Sequence, residues 1–290
     1  MTELPSYTKK WHNDVYPSIN ASRPELSAKG KRIVITGGAG GIGAATAEAF
    51  IVAGASEVII LGRTEKTLQS AKSAIENKYH KATVVALVSD ITDPQSTTQA
   101  FDTISKRGSI DVFINNAGYL SDIGPAATSD VAEWWRSFEV NVRGSLQAVQ
   151  AALKNISNNG VIINVTSAAA LVPSVPGHSA YAVSKIGSTK LFEYIQHENT
   201  TIRIFNLQPG IIESTGMASK AAEQSGISWP QQDTLQLPAH FMVWLSSPEG
   251  AFLKGRFVWA NWDIDELRAK AKDLEENPTM LTLGLIGWPQ

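Results

Sequence analysis

Cysteine is absent from the 290 residues. Disulfides, thiolate nucleophiles and cysteine-ligated metals are therefore excluded. An excess of either charge is also missing: 25 Lys and Arg stand against 27 Asp and Glu, a net charge of −2. Such a balance carries no electrostatic footprint for nucleic acid or an anionic membrane surface. No run of about 18 apolar residues occurs, so no membrane span is expected. The opening stretch, MTELPSYTKKWHNDVYPSIN, lacks the apolar core of a signal peptide, and the cytoplasm is the default expectation. His12, His80, His178, His197 and His240 show no ligand spacing, so no metal site is expected.

What is present is ordinary globular material, 43% hydrophobic and 18% charged. Lys31–Thr36 reads as a buried strand. It runs into Gly37-Gly38-Ala39-Gly40-Gly41-Ile42-Gly43, and Ala44–Val52 is helix-forming. Strand, glycine-rich turn and helix, in that order, form the context of a dinucleotide fingerprint. Glycines let the backbone approach a pyrophosphate, whose charge a helix N-terminus favours. Gly37, Gly41, Ile42 and Gly43 are the expected cradle.

The alternation continues. Strands are expected at Glu57–Leu61, Thr83–Ser89, Ile110–Asn115, Val161–Thr166, Ile202–Leu207 and Arg256–Ala260. Helices are expected at Glu65–Tyr79, from Asp93-Pro94 to about Lys106, and at Asp130–Asn155, Ala180–His197, Pro238–Ser246 and Asp265–Glu276. Continuous apolar strands alternating with helices predict an α/β, Rossmann-type, doubly wound parallel sheet of about seven strands, helices on both faces. One catalytic domain over 30–262 is expected, including a substrate loop at 211–237. Residues 1–29 read as a surface extension touching the domain through Trp11 and Tyr16. Residues 263–290 read as a charged helix and an apolar tail packed on this domain or a neighbouring subunit.

Tyr181-Ala182-Val183-Ser184-Lys185 places a phenol and an ammonium one helical turn apart. A nearby ammonium favours the phenolate, so the spacing predicts a lowered tyrosine pKa and a usable acid/base.

In combination these residues resemble the short-chain dehydrogenase/reductase family. The resemblance rests on Thr36-Gly37-x-x-x-Gly41-x-Gly43, Asn115-Asn116-Ala117-Gly118, Asn141, Ser167, Tyr181-x-x-x-Lys185 and Pro209-Gly210. The order and approximate spacings agree, and the match spans about residues 30–260. The extension before residue 30, Trp259-Ala260-Asn261-Trp262-Asp263 and the apolar tail resemble a fungal branch. The resemblance implies that Tyr181 is the general acid in carbonyl reduction and that Lys185 tunes it and holds the nicotinamide ribose. Ser167 would orient the substrate carbonyl, and Asn141 would hold a water relaying protons through Lys185. Ser167 stands fourteen residues before Tyr181, one more than is usual, in a stretch carrying Pro173 and Pro176; a serine merely ending a strand is the alternative.

The same resemblance places Asp90, Asn116 and Gly118 along the adenosine, Asp90 being open also to a plain turn role. Pro209, Gly210 and Thr215 (or Ser214) would meet the carboxamide, unless the hydroxyl simply caps the next helix. Gly62 stands where an NAD enzyme carries an acid, and Arg63 follows. A guanidinium can grip a 2′-phosphate that a carboxylate would repel, so NADP(H) is expected over NAD(H). Glu65 reaching the ribose is the competing reading. The implied activity is interconversion of a ketone or aldehyde and an alcohol on a mid-sized apolar substrate, in secondary metabolism by analogy. Redox-neutral chemistry at the same site and a non-catalytic dinucleotide-binding protein are the rivals. A homodimer or homotetramer is implied, joined through the helices around 130–155 and 180–198.

Overall fold

The computed structural model describes residues 6–172, 174–226 and 232–285. Pro173, part of the expected substrate loop (227–231) and the end of the apolar tail (286–290) lie outside the described residues, as do residues 1–5.

Seven strands make one sheet: β1 Arg32–Thr36, β2 Glu57–Gly62, β3 Val84–Val88, β4 Ile110–Asn115, β5 Ile156–Val165, β6 Arg203–Gln208 and β7 Phe257–Trp259. Their order is β3-β2-β1-β4-β5-β6-β7, every neighbouring pair parallel. Parallel neighbours need crossovers, and helices supply them. These are α1 Gly41–Val52, α2 Glu65–Lys78, α3 Pro94–Ser105, α4 Val131–Phe138, α5 Ser145–Leu153 and α6 Ser179–Glu198. After β6 come α7 Gly216–Ser225 and α8 Gln236–Ser246, and after β7 come α9 Ile264–Ala269 and α10 Ala271–Glu276.

The pleat explains why the strands are apolar throughout. Ile33, Ile35, Val58, Ile60, Val112 and Ile114 enter one core cluster, while Val34, Ile59, Leu61 and Phe113 enter the other. Successive side chains point to opposite faces, and both faces are covered. The order reverses between β1 and β4, and ligands in such sheets bind in the crevice at the strands' carboxyl ends.

The helix expected over 130–155 is interrupted. A π turn, Glu139–Gly144, separates α4 from α5, and it carries Asn141. The charged stretch expected as one helix forms α9 and α10, because Lys270 leaves the helical region. The amino-terminal segment is no mere surface extension: Tyr16, Ile19, Ala21, Leu26 and Ala28 belong to a core cluster. The Tyr16 hydroxyl donates to Trp262 O and accepts from the Ile264 N–H, both at 3.0 Å. Met280 and Leu281 of the tail pack on the same cluster.

A ladder of buried amides crosses the sheet's centre. Asn115 Nδ2 donates to Asn164 Oδ1 at 2.9 Å, and Asn164 Nδ2 donates to Asn206 Oδ1 at 2.8 Å. The three residues are partners in the β4–β5–β6 register. Asn115 Nδ2 also donates to Ser145 Oγ, and Asn206 Nδ2 to Thr189 O, so the ladder fastens α5 and α6. Asn164→Ala would leave an amide donor and an acceptor buried without partners. Each such group costs about 1–3 kcal/mol. The urea midpoint is expected to fall by the equivalent of about 2–4 kcal/mol; an unchanged midpoint would show that the ladder contributes little.

Candidate functional site

At the carboxyl end of β1 the chain turns sharply into α1. Gly37 and Gly41 have φ of +66° and +51°, a region L side chains rarely adopt. Gly43 has a steric reason instead: a Cβ there would lie 2.2 Å from Gly37 O. Thr36 and Asn116 brace this turn from behind. Thr36 Oγ1 accepts from the Asn116 and Ala117 N–H groups, each at 3.0 Å. Asn116 Nδ2 donates to Thr36 O and Gly37 O. The asparagine expected along an adenosine thus shapes the glycine turn directly.

A cavity of about 1090 Å³ opens over this turn. Its lining includes Gly37, Gly41 and Ile42 at the turn, Arg63 and Asp90 beyond β2 and β3, and Asn116 and Gly118 after β4. It continues past Ser167, Tyr181, Lys185, Pro209, Gly210 and Thr215. Gly43 and Asn141 stand behind the wall. Sites for drug-sized ligands span roughly 300–1,000 Å³, so this one has room for a larger ligand or for two.

The alternatives left by sequence resolve into contacts. Arg63 is exposed and lines the cavity; Glu65 does not, and begins α2. Asp90 lines the cavity but also takes a turn role, its Oδ1 accepting from the Thr92 N–H at 2.9 Å. Thr215 lines the cavity and caps α7, accepting from the Ala218 N–H at 3.2 Å; Ser214 is not in the lining. His178 borders the cavity with Nδ1 3.1 Å from Pro176 O. Trp134 donates to Ser179 Oγ at 3.0 Å, while Trp135 is exposed; neither lines the cavity.

The π turn locks Asn141. Its Nδ2 donates to Tyr119 O at 2.8 Å and Ser184 Oγ at 2.9 Å, and its Oδ1 accepts from the Tyr119 N–H at 2.8 Å. Both amide protons are committed, so a water held here would use the remaining Oδ1 lone pair or the backbone carbonyl. Ser167 begins a short 3₁₀ turn. The adjacent backbone is fixed from β6, since Ala168 N–H donates to Gln208 Oε1 at 2.9 Å.

The electrostatics depart from the simple expectation of a lysine lowering its tyrosine. Lys185 Nζ donates to Val165 O at 3.1 Å and lies 5.7 Å from the Tyr181 ring centroid. Burial pushes the Lys185 ammonium down to about 8. Burial also raises the Tyr181 phenol, partly offset by a hydrogen bond from Ser167. Desolvation penalises the charged form of each residue, and it outweighs their mutual effect here.

Sequence reasoning did not find the residues that hold α7 over the cavity. Lys220 Nζ donates to Leu120 O at 3.0 Å and pairs with Asp122 at 2.9 Å, and Ile123 N–H donates to Gln224 Oε1 at 2.9 Å. No motif marks them; only the length of the loop expected at 211–237 hinted at a cover.

A doubly wound sheet, a glycine turn opening α1 and a Tyr–Lys pair on one cavity wall define a Rossmann-type oxidoreductase. A family model for short chain dehydrogenase matches residues 31–226. The chain belongs to that family. It is similar to the short chain dehydrogenase/reductase AacuD of Aspergillus aculeatus, 31% identical over 282 residues, 96% of each chain. A short chain dehydrogenase/reductase of Claviceps purpurea is also 31% identical, covering 98% of this chain and 95% of its own. Both sources are fungal, and the chain falls in a fungal branch. Among solved structures, a short chain dehydrogenase from Salmonella enterica serovar Typhi superposes with a TM-score of 0.74 at 25% identity. That match covers 82% of this chain and 98% of the other. The family implies a nicotinamide dinucleotide, and the glycine-rich turn at Gly37–Gly43, whose Gly40 and Gly41 line the cavity where α1 begins, fits its pyrophosphate.

The buried lysine gives a pH signature. Unfolded, it holds its proton to about 10.5; folded, it releases it near 8. The unfolded chain therefore binds more protons between these values, and this group's contribution to stability rises with pH across the window. Lys185→Met removes the penalty for burying a charge. The variant is expected to melt at or above wild type at pH 7, with the gap narrowing from pH 8 to 10. Melting curves at three pH values check this, and a gap independent of pH would contradict it.

Proposed function

We propose that the protein is an NADP(H)-dependent oxidoreductase interconverting a carbonyl group and an alcohol on a mid-sized apolar substrate. The observation that carries this reading is the convergence of Tyr181, Lys185 and Ser167 on the cavity that also receives the glycine turn. Bound at that turn, the cofactor supplies a hydride to the carbonyl carbon. Ser167 hydrogen-bonds the carbonyl oxygen and orients it. Tyr181 gives its phenolic proton to that oxygen as it gains charge. Lys185 holds the ribose hydroxyls, and an ammonium there favours the phenolate left behind. A water at Asn141 returns the proton through Lys185.

Arg63 at the cavity rim, with Gly62 rather than an acid at the end of β2, supports a 2′-phosphate and hence NADP(H). Ala169, Ala170, Val172, Val175, Met217 and Ala222 in the remaining wall support an apolar substrate. A place in secondary metabolism is proposed by analogy with the fungal branch alone, and the cytoplasm as the location. Val131 and Trp135 of α4 and Tyr194 of α6 are exposed outside the cavity. These faces support a homodimer or homotetramer joined through both helices.

The test is oxidation of NADPH and NADH against ketones of increasing size. Tyr181→Phe is expected to lower kcat by about 10²–10⁴-fold with cofactor binding kept. Arg63→Ala is expected to weaken NADPH roughly tenfold while sparing NADH, the loss of one charged hydrogen-bonded contact. Preference for NADH in the wild type would overturn the cofactor assignment. Tight NADPH binding without turnover of any ketone would favour redox-neutral chemistry.

A further inference from the structure

One carboxylate gathers four distant parts of the chain. The Ile211 N–H donates to Asp233 Oδ2 at 2.6 Å, and the Asp233 N–H donates to Ile211 O at 2.8 Å. This reciprocal pair closes the base of the segment that leaves β6 and returns before α8. Asn13 Nδ2 donates to Asp233 Oδ1 at 2.6 Å, and Asn261 Nδ2, just past β7, donates to the same oxygen at 2.9 Å. The amino-terminal segment grips the neighbouring residue as well. Thr234 N–H donates to Asn13 O at 2.9 Å, and its hydroxyl donates to Asp14 at 2.6 Å.

Asp233 is only 8% exposed. All three donors to its carboxylate are neutral N–H groups. Burial raises its pKa while the hydrogen bonds from Ile211, Asn13 and Asn261 oppose the rise. A buried carboxylate without a cation is costly and must be held by its hydrogen bonds. The backbone has been shaped to admit it. Gly210 has φ of +104°, and a Cβ there would lie 2.5 Å from Asp233 Oδ2. Glycine at this position therefore leaves room for the carboxylate, independently of any contact with a cofactor.

Asp233 does not line the large cavity, but Gly210, Ile211, Ile212, Thr215 and Met217 do. We propose that Asp233, with Asn13 as its partner from the amino-terminal segment, is a positioning residue that sets where the Ile211–Met217 stretch enters the active site. The proposal rests on the cavity being the cofactor and substrate site. The segment has a second tether, Lys220 on Leu120 O and Asp122. The question is therefore whether the base clamp, rather than that tether, determines its placement.

Lys220 is the only lysine or arginine between Arg203 and Lys254, so tryptic cleavage after it reports release of the segment. Wild type, Asp233→Asn and Asn13→Ala would be compared without cofactor for cleavage at Lys220 and for melting temperature. NADPH binding would be followed by tryptophan fluorescence, and KM and kcat with the best ketone found. Cleavage is expected to accelerate about tenfold in both variants. The Kd for NADPH and the ketone KM should rise roughly tenfold with kcat changed less, since a displaced wall costs alignment. Pairing Asp233→Asn with Asn13→Asp restores a donor–acceptor pair across the same gap, and is expected to slow cleavage again. Wild-type cleavage and NADPH affinity in Asp233→Asn would overturn the proposal. Should that variant melt far below wild type, unchanged cleavage in Asn13→Ala, which alters nothing within the segment, would overturn it equally. A wild type that binds neither NADPH nor NADH would instead overturn the reading of the cavity, and the cleavage rates would still judge the clamp.

Discussion

The amide ladder from Asn115 through Asn164 to Asn206 is the constraint on which the site depends. Apolar strands slide without losing their hydrophobic match when both faces are buried, because every residue is acceptable on either side. An amide in the interior has no such freedom: its donors and acceptors must meet partners or incur a desolvation penalty. The three asparagines align only in the observed register. Their side links to Ser145 and Thr189 then set α5 and α6 against the sheet. Tyr181 and Lys185 stand on α6, and Ser167 follows β5. Their relative placement is thus inherited from polar contacts in the core, one layer beneath the cavity.

Above that layer the site works through desolvation. Lys185 and Tyr181 are each shifted toward the neutral form, and Lys185 spends its hydrogen bond on Val165 O. A charged lysine here is poorly solvated and gains from any acceptor brought into the cavity. Asn141 extends the same economy of donors, with both amide protons held by Tyr119 O and Ser184 Oγ. The π turn that carries it places this amide just behind the cavity wall.

Much of this was legible in the residues. The seven strands, their parallel arrangement and the glycine turn follow from apolar runs punctuated by Gly and Pro, a pattern dense in local information. Tyr181 and Lys185 were named from spacing and Ser167, Pro209 and Gly210 from the family resemblance, and the folded chain brings them to one cavity. Three things were hidden. The π turn has no composition of its own, since one extra residue in a helical turn leaves periodicity nearly intact. The burial of Ile19 and Leu26 was masked by surrounding Pro, Ser and Asn, because short 3₁₀ turns carry no periodic signal. The direction of the tyrosine shift was misread because sequence reports the neighbouring charge and not the loss of water, which dominates here.

The least legible feature is also the most instructive about glycine. Pro209-Gly210 reads as a family mark facing a cofactor, yet the side-chain space at Gly210 is taken by Asp233, twenty-three residues later. The family-wide match ends at residue 226, before Asp233, and begins at residue 31, after Asn13. The fungal relative AacuD aligns over 96% of the chain. The clamp therefore joins a glycine inside the shared pattern to two residues outside it. A motif position can keep its residue type while the reason for that type passes to a new neighbour. In this chain the segments flanking the common domain lie behind the wall of the cavity, and the amino-terminal stretch is held there by hydrogen bonds that reach the loop's base directly.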